Sequence, residues 1–180
     1  MRAPRYDRTS ILLHWIVGLA ILFQFALGWR TADLPEAEAA PWLALHQSIG
    51  IVLAAFVVVR LLWRLSHPAP ELPGTLPHLQ RTMAKATHWA LYGCMLLMPL
   101  SGYLASSSPK APVRFFGTPL PHFSWNSPDL QDAMGSVHSI TAWLLGALVG
   151  LHVAAALLHL LRRDGLFSRM WWSTQAAPGE

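Results

Sequence analysis

Four apolar stretches, each about as long as a lipid bilayer is thick, dominate this chain. They run over 9–29, 43–65, 82–104 and 133–161, and each supplies the ~20 residues a helix needs to cross the hydrocarbon core. No water reaches backbone N–H and C=O groups there, so an unclosed segment must pair them within itself as a helix. The expected fold class is therefore all-α: an integral membrane four-helix bundle, a single transmembrane domain over 1–180. The balance of residues agrees, with 53% hydrophobic and only 12% charged, about half the charged share of soluble domains. Four spans with short loops leave no room for a separate soluble catalytic domain.

The first run follows Arg2, Arg5 and Arg8 in the manner of a secretion signal. It is long for a signal core and no small-x-small cleavage site follows, so we expect it to be retained as a span. Prolines mark the joints: Pro35 and Pro41 flank the first loop, Pro68, Pro70, Pro73 and Pro77 stiffen the second, and Pro109, Pro112, Pro119, Pro121 and Pro128 punctuate the third, over 105–132. Phe115, Phe116, Phe123 and Trp125 suggest that this longest loop lies on the membrane surface, and Trp29, Trp42, Trp63, Trp171 and Trp172 read as interface anchors. Ten of the basic residues (Arg2, Arg5, Arg8, Arg60, Arg64, Arg81, Lys85, Arg162, Arg163, Arg169) fall on one side of this topology and three (Arg30, Lys110, Arg114) on the other. The positive-inside rule then puts both termini in the cytoplasm of a multi-pass inner (plasma) membrane protein.

Several chemistries are excluded at this level. The net charge of +4 comes from residues at span ends, without any nucleic-acid reading motif, so no nucleic acid is expected as partner. One cysteine, Cys94, allows neither an internal disulfide nor a cysteine-based zinc or iron–sulfur site, and without Cys-x-x-Cys-His no heme is covalently attached. Cys94 itself reads as a small core residue. All nine acidic residues lie outside the spans or at their edges, whereas proton pumps and cation carriers keep carboxylates inside the membrane.

Nine histidines remain to be explained. His67, His78 and His122 fall in loops and read as solvent-facing. The other six sit in or near the spans. His14 enters near the start of the first, His46 and His138 lie near the opposite face in the second and fourth, and His152 follows His138 by fourteen residues. That separation is about 21 Å of helix axis and close to four whole turns, so both rings leave the fourth span from nearly one side. Two levels follow, His46 with His138 and His14 with His152. Each level can hold one heme iron between two helices, and bis-histidine ligation suits electron transfer because it leaves no open position. His88 also begins its span on the inner side and stays open as an alternative inner ligand. A lone intramembrane histidine can equally serve as an interhelical hydrogen-bonding group.

Arg-Thr-Ser-Ile-Leu-Leu-His14-Trp15, Leu-His46-Gln-Ser-Ile-Gly50, His88-x3-Tyr92-x6-Pro99 and His138-x13-His152-x6-His159 together resemble the bacterial cytochrome b561 family, over essentially the whole chain. The resemblance implies a four-helix membrane cytochrome with two heme b, whose axial ligands are His14, His46, His138 and His152. Within the family the chain is most similar to the superoxide oxidase branch, whose members oxidise superoxide outside the inner membrane and reduce ubiquinone. The expected activity is thus that of a superoxide:ubiquinone oxidoreductase. His159 is the leading quinone-site candidate, with Lys85, His88 and Trp15 behind it. Arg30, Lys110 and Arg114 are candidates for steering the superoxide anion, although Asp33, Glu36, Glu38, Asp129 and Asp132 share their side. Arg60 and Arg64 are candidates for heme propionates.

Two other functions fit the pattern. One is a quinol-linked electron-carrier subunit for another donor or a partner dehydrogenase. The other is a heme-free, histidine-based membrane transporter. Gly146-x-x-x-Gly150 suits close helix packing, room for a porphyrin, or self-association. Pro99 with Gly102 is expected to kink or loosen the third span.

Overall fold

A computed structural model of the chain describes residues 5–71, 76–108, 112–121 and 127–172. Lys110, His122, Phe123 and Trp125 lie outside the described residues. Four long helices dominate: α1 (Arg8–Ala32), α2 (Glu36–Ser66), α3 (His78–Ser106) and α4 (Pro128–Arg162). α1, α2 and α4 are long and apolar enough to cross a membrane. α3, which carries Arg81, Lys85 and His88 in its first half, is the least apolar of the four.

Each helix overruns its expected span, and at the starts of α1 and α4 a capping side chain marks the boundary. Asp7 caps α1 by accepting the Ser10 N–H at 2.9 Å, and its other carboxylate oxygen takes the Ser10 hydroxyl. Ser127 caps α4 with Pro128 as its first residue, a position where the missing N–H costs nothing. Pro35 opens α2, so Pro41 stands inside the helix and not in the loop. His78 is not a loop residue, since it opens α3, whereas His67 lies just past the end of α2 with its ring stacked 3.9 Å from Trp63.

The bundle is built from two closely packed hairpins, α1 with α2 and α3 with α4, joined by α2–α3 contact. A thin core lies between them, formed by Val17, Ile21, Val57, Leu91, Cys94 and Leu145. Cys94 thus takes the core place expected of it. Large apolar side chains cover the outside instead, with Trp143 76% and Leu161 80% exposed. That distribution suits a hydrocarbon solvent, in which an outward apolar face carries no penalty.

The third connection holds a feature that the sequence reading missed. Arg114–Phe115 and Thr118–Pro119 pair as a small antiparallel hairpin. Its turn places Phe116 and Gly117 at φ 46° and 90°, the positive region that two-residue hairpins require. Ser48 of α2, only 2% exposed, pins it: its hydroxyl reaches the Arg114 carbonyl at 3.2 Å and accepts the Phe116 N–H at 3.0 Å. The hairpin is thereby fixed two residues from His46.

At the opposite end the chain folds back through a short 3-10 turn, Phe167–Met170. Arg169, 3% exposed, donates to the carbonyls of Pro70 and Glu71 and faces the Tyr6 ring. The sequence offered Arg169 only as an orienting surface charge; the fold uses it as an internal tie.

Candidate heme-binding histidines

Five of the six span histidines gather at two ends of the bundle. At one end the rings of His46 and His138 stand 6.3 Å apart between centroids. At the other, His14 and His152 stand 5.9 Å apart, and His88 lies 5.4 Å from His152. Two metal–imidazole bonds of about 2 Å, plus the reach from ring centre to nitrogen, place such centroids about 6 Å apart across a shared iron.

Each expected pair crosses between the two helix hairpins. His14 of α1 meets His152 of α4, and His46 of α2 meets His138 of α4. His88 differs, since it approaches His152 from within the tightly packed α3–α4 hairpin. The residue as a whole is more exposed than His14, His46, His138 and His152, which are all half-buried.

Hydrogen bonds fix the chemistry of several rings. His138 Nδ1 lies 2.9 Å from the Met98 carbonyl. A carbonyl only accepts, so Nδ1 carries the proton and Nε2 of the neutral ring keeps its lone pair. That is the state of a metal ligand with its outer partner in place. His88 is held likewise, Nδ1 to the Ala84 carbonyl. His14 is different, with Arg60 Nη2 3.1 Å from its Nδ1. His46 Nδ1 and Gln24 Oε1 are both buried without a hydrogen-bond partner, while Gln24 Nε2 donates to the His46 carbonyl at 3.0 Å.

Two glycines make close approach feasible. A Cβ on Gly28 would touch His46 Cε1 at 3.6 Å, and one on Gly102 would stand 2.9 Å from His138 Nδ1. Gly146 packs against Phe25 of α1, and Gly150 has open space where a Cβ would stand.

Around the inner cluster, Arg60 also lies over the Tyr92 ring at 5.9 Å. Arg64 Nη1 is buried without a hydrogen-bond partner, with its guanidinium over Tyr6. His159 Nδ1 is 2.5 Å from Asp164 Oδ2. Partial burial works against ionisation of Asp164, but bonds from His159 and the Leu166 N–H outweigh it and hold the carboxyl below its ordinary value. The Trp15 indole N–H is taken by the Met170 carbonyl at 2.9 Å, and its ring stands edge-on to His14. Lys85 is exposed one turn before His88. On the other face, Arg30 and Arg114 are exposed, and Arg114 Nη1 donates to the Gly117 carbonyl at 2.9 Å.

Comparison with known proteins identifies the family. The profile of the prokaryotic cytochrome b561 family matches residues 5–173. The chain belongs to that family. It is therefore a bacterial membrane electron carrier that uses heme b. Cytochrome b561 homolog 2 of Escherichia coli strain K12 is 34% identical over 173 residues, 92% of this chain and 90% of that protein. A probable superoxide oxidase, CybB, of Yersinia pestis is 28% identical over 175 residues, 92% and 95% of the two chains. Cytochrome b561 homolog 1 of the same E. coli strain is 25% identical over 169 residues, 92% and 96%.

Proposed function

We propose that the protein binds two heme b, oxidises superoxide at the face holding His46 and His138, and reduces ubiquinone at the face holding His14 and His152. The observation that carries this reading is the crossing of both histidine pairs between the helix hairpins, at centroid spacings of 6.3 and 5.9 Å. The likeness to a probable superoxide oxidase supports the choice of substrate. In this reading all four helices cross the inner membrane as one domain, and both termini are cytoplasmic.

The residues present fit the cofactor. His138 already offers an unprotonated Nε2, and the buried, unpartnered Nη1 of Arg64 suits a propionate oxygen. Between His14 and His88, two features favour His14 as partner of His152. It is half-buried, and it faces His152 from the opposite hairpin. Heme held by these residues would supply reversible one-electron exchange.

The net chemistry balances. Two superoxide anions each give one electron and leave as dioxygen, and ubiquinone takes up the two electrons and two protons to become ubiquinol. The protein must attract an anion on one side and supply protons on the other. Arg30, Lys110 and Arg114 serve the first task through their positive field. His159 serves the second: Asp164 holds its Nδ1–H, so Nε2 is the atom that gains and gives a proton. Lys85, His88 and Trp15 are secondary candidates for the quinone pocket.

The test is a heme count with reduced-minus-oxidised spectra on purified protein, followed by mixing with superoxide and a soluble ubiquinone. Quinone-dependent loss of superoxide is expected. A heme-loaded protein that leaves superoxide untouched would assign it to another electron donor. A folded, heme-free protein would sink the cytochrome reading altogether.

A further inference from the structure

α3 gives no ligand to either expected pair, yet at Gly102 its backbone lies close against a ligand ring. A Cβ at Gly102 would lie 2.9 Å from both Cε1 and Nδ1 of His138, so only glycine admits the ring in this pose. The pose brings Nδ1 to the Met98 carbonyl at 2.9 Å. A second donor competes for that carbonyl. Ser101 is fully buried, and its hydroxyl lies 2.7 Å from the Leu97 carbonyl and 3.1 Å from that of Met98.

We infer that Gly102 and Ser101 are positioning residues that set the orientation and basicity of His138, and through it the reduction potential of the outer heme. This rests on the reading of His138 as an axial ligand. A stronger acceptor at Nδ1–H leaves more electron density on Nε2 and favours the oxidised iron. Gly102 governs whether the ring can reach the carbonyl. Ser101 governs how much of that carbonyl the ring receives. The two therefore act in opposite directions: filling position 102 weakens the bond, and emptying position 101 strengthens it.

The experiment is a spectroscopic redox titration of full-length protein in detergent, with electron paramagnetic resonance of the ferric form. The component missing from His138→Ala identifies the outer heme. Gly102→Ala should raise the outer potential, shifting its reduced-to-oxidised ratio about tenfold at fixed potential, or about 59 mV for one electron. The inner component should not move. Ser101→Ala should produce a smaller shift of opposite sign, and it decides the matter alone where Gly102→Ala fails to fold. Loaded variants that titrate and resonate as wild type would overturn the inference while leaving the ligand assignment intact. Wild-type protein without heme would instead overturn the ligand assignment, and this inference with it.

Discussion

The guanidinium of Arg60 stands 3.1 Å from Nδ1 of His14. A guanidinium can only donate, so Nδ1 accepts and the proton of the neutral ring sits on Nε2. Iron ligation through Nε2 needs the opposite arrangement. Arg60 must release His14 before that ring can act as a ligand, and the released cation is placed to meet a propionate.

Arg60→Ala should therefore weaken inner-heme retention. One charge-assisted hydrogen bond is worth about 1.5–3 kcal/mol, which corresponds to about a ten- to hundredfold loss. Heme per chain after extended washing measures it. Retention equal to wild type would remove Arg60 from the propionate role.

His14 and His88 are separable by the same assay. His14→Ala should lower the count from about two hemes to about one, with the outer signal intact, whereas His88→Ala should keep both. The reverse result would move the inner ligand to α3. At the outer level, replacing His46 or His138 should each remove the other component.

Asp7 should show a stability effect with a defined pH sign. Slight burial opposes its ionisation, but bonds from Ser10 and Trp63 prevail and hold its carboxyl below the ordinary value. A carboxylate lowered on folding contributes fully at neutral pH, and that contribution is lost as pH falls through its folded value. Asp7→Ala should cost about 1 kcal/mol near neutrality, read as a lower Tm in detergent. The gap from wild type should shrink in strong acid. A constant gap across pH would contradict the charged cap.

His159→Ala and Asp164→Asn should slow quinone reduction more than heme reduction. General acid–base groups contribute about 10²–10⁴-fold, with the larger loss expected for His159. Stopped-flow traces of heme reduction and quinol formation separate the two steps. Equal slowing of both would place His159 outside the quinone site.

Arg169→Met should destabilise the protein without removing heme ligands. It strips the Pro70 and Glu71 carbonyls of charge-assisted donors, each worth about 1.5–3 kcal/mol. Thermal unfolding should show the loss, while the visible spectrum of the folded fraction stays as in wild type.

The helical class and the two-level spacing of histidines are written in the sequence, because both depend on local repeats. A run of apolar residues forces a helix in lipid whatever surrounds it, and fourteen residues of helix set a rise of about 21 Å. Other features depend on partners far apart along the chain. His138 finds its acceptor on Met98, forty residues away, and the hairpin at Arg114 finds Ser48, sixty-six residues away. Arg169 finds Pro70 across ninety-nine. No local pattern announces such pairings, since a carbonyl or a serine looks the same wherever it stands. Pro41 and His78 show the same limit at helix ends, where α2 and α3 begin several residues before their apolar runs. The sequence determined that histidines would stand at two depths. It also paired them by depth, His46 with His138 and His14 with His152; only the packing of two hairpins decided which backbone atoms hold their protons.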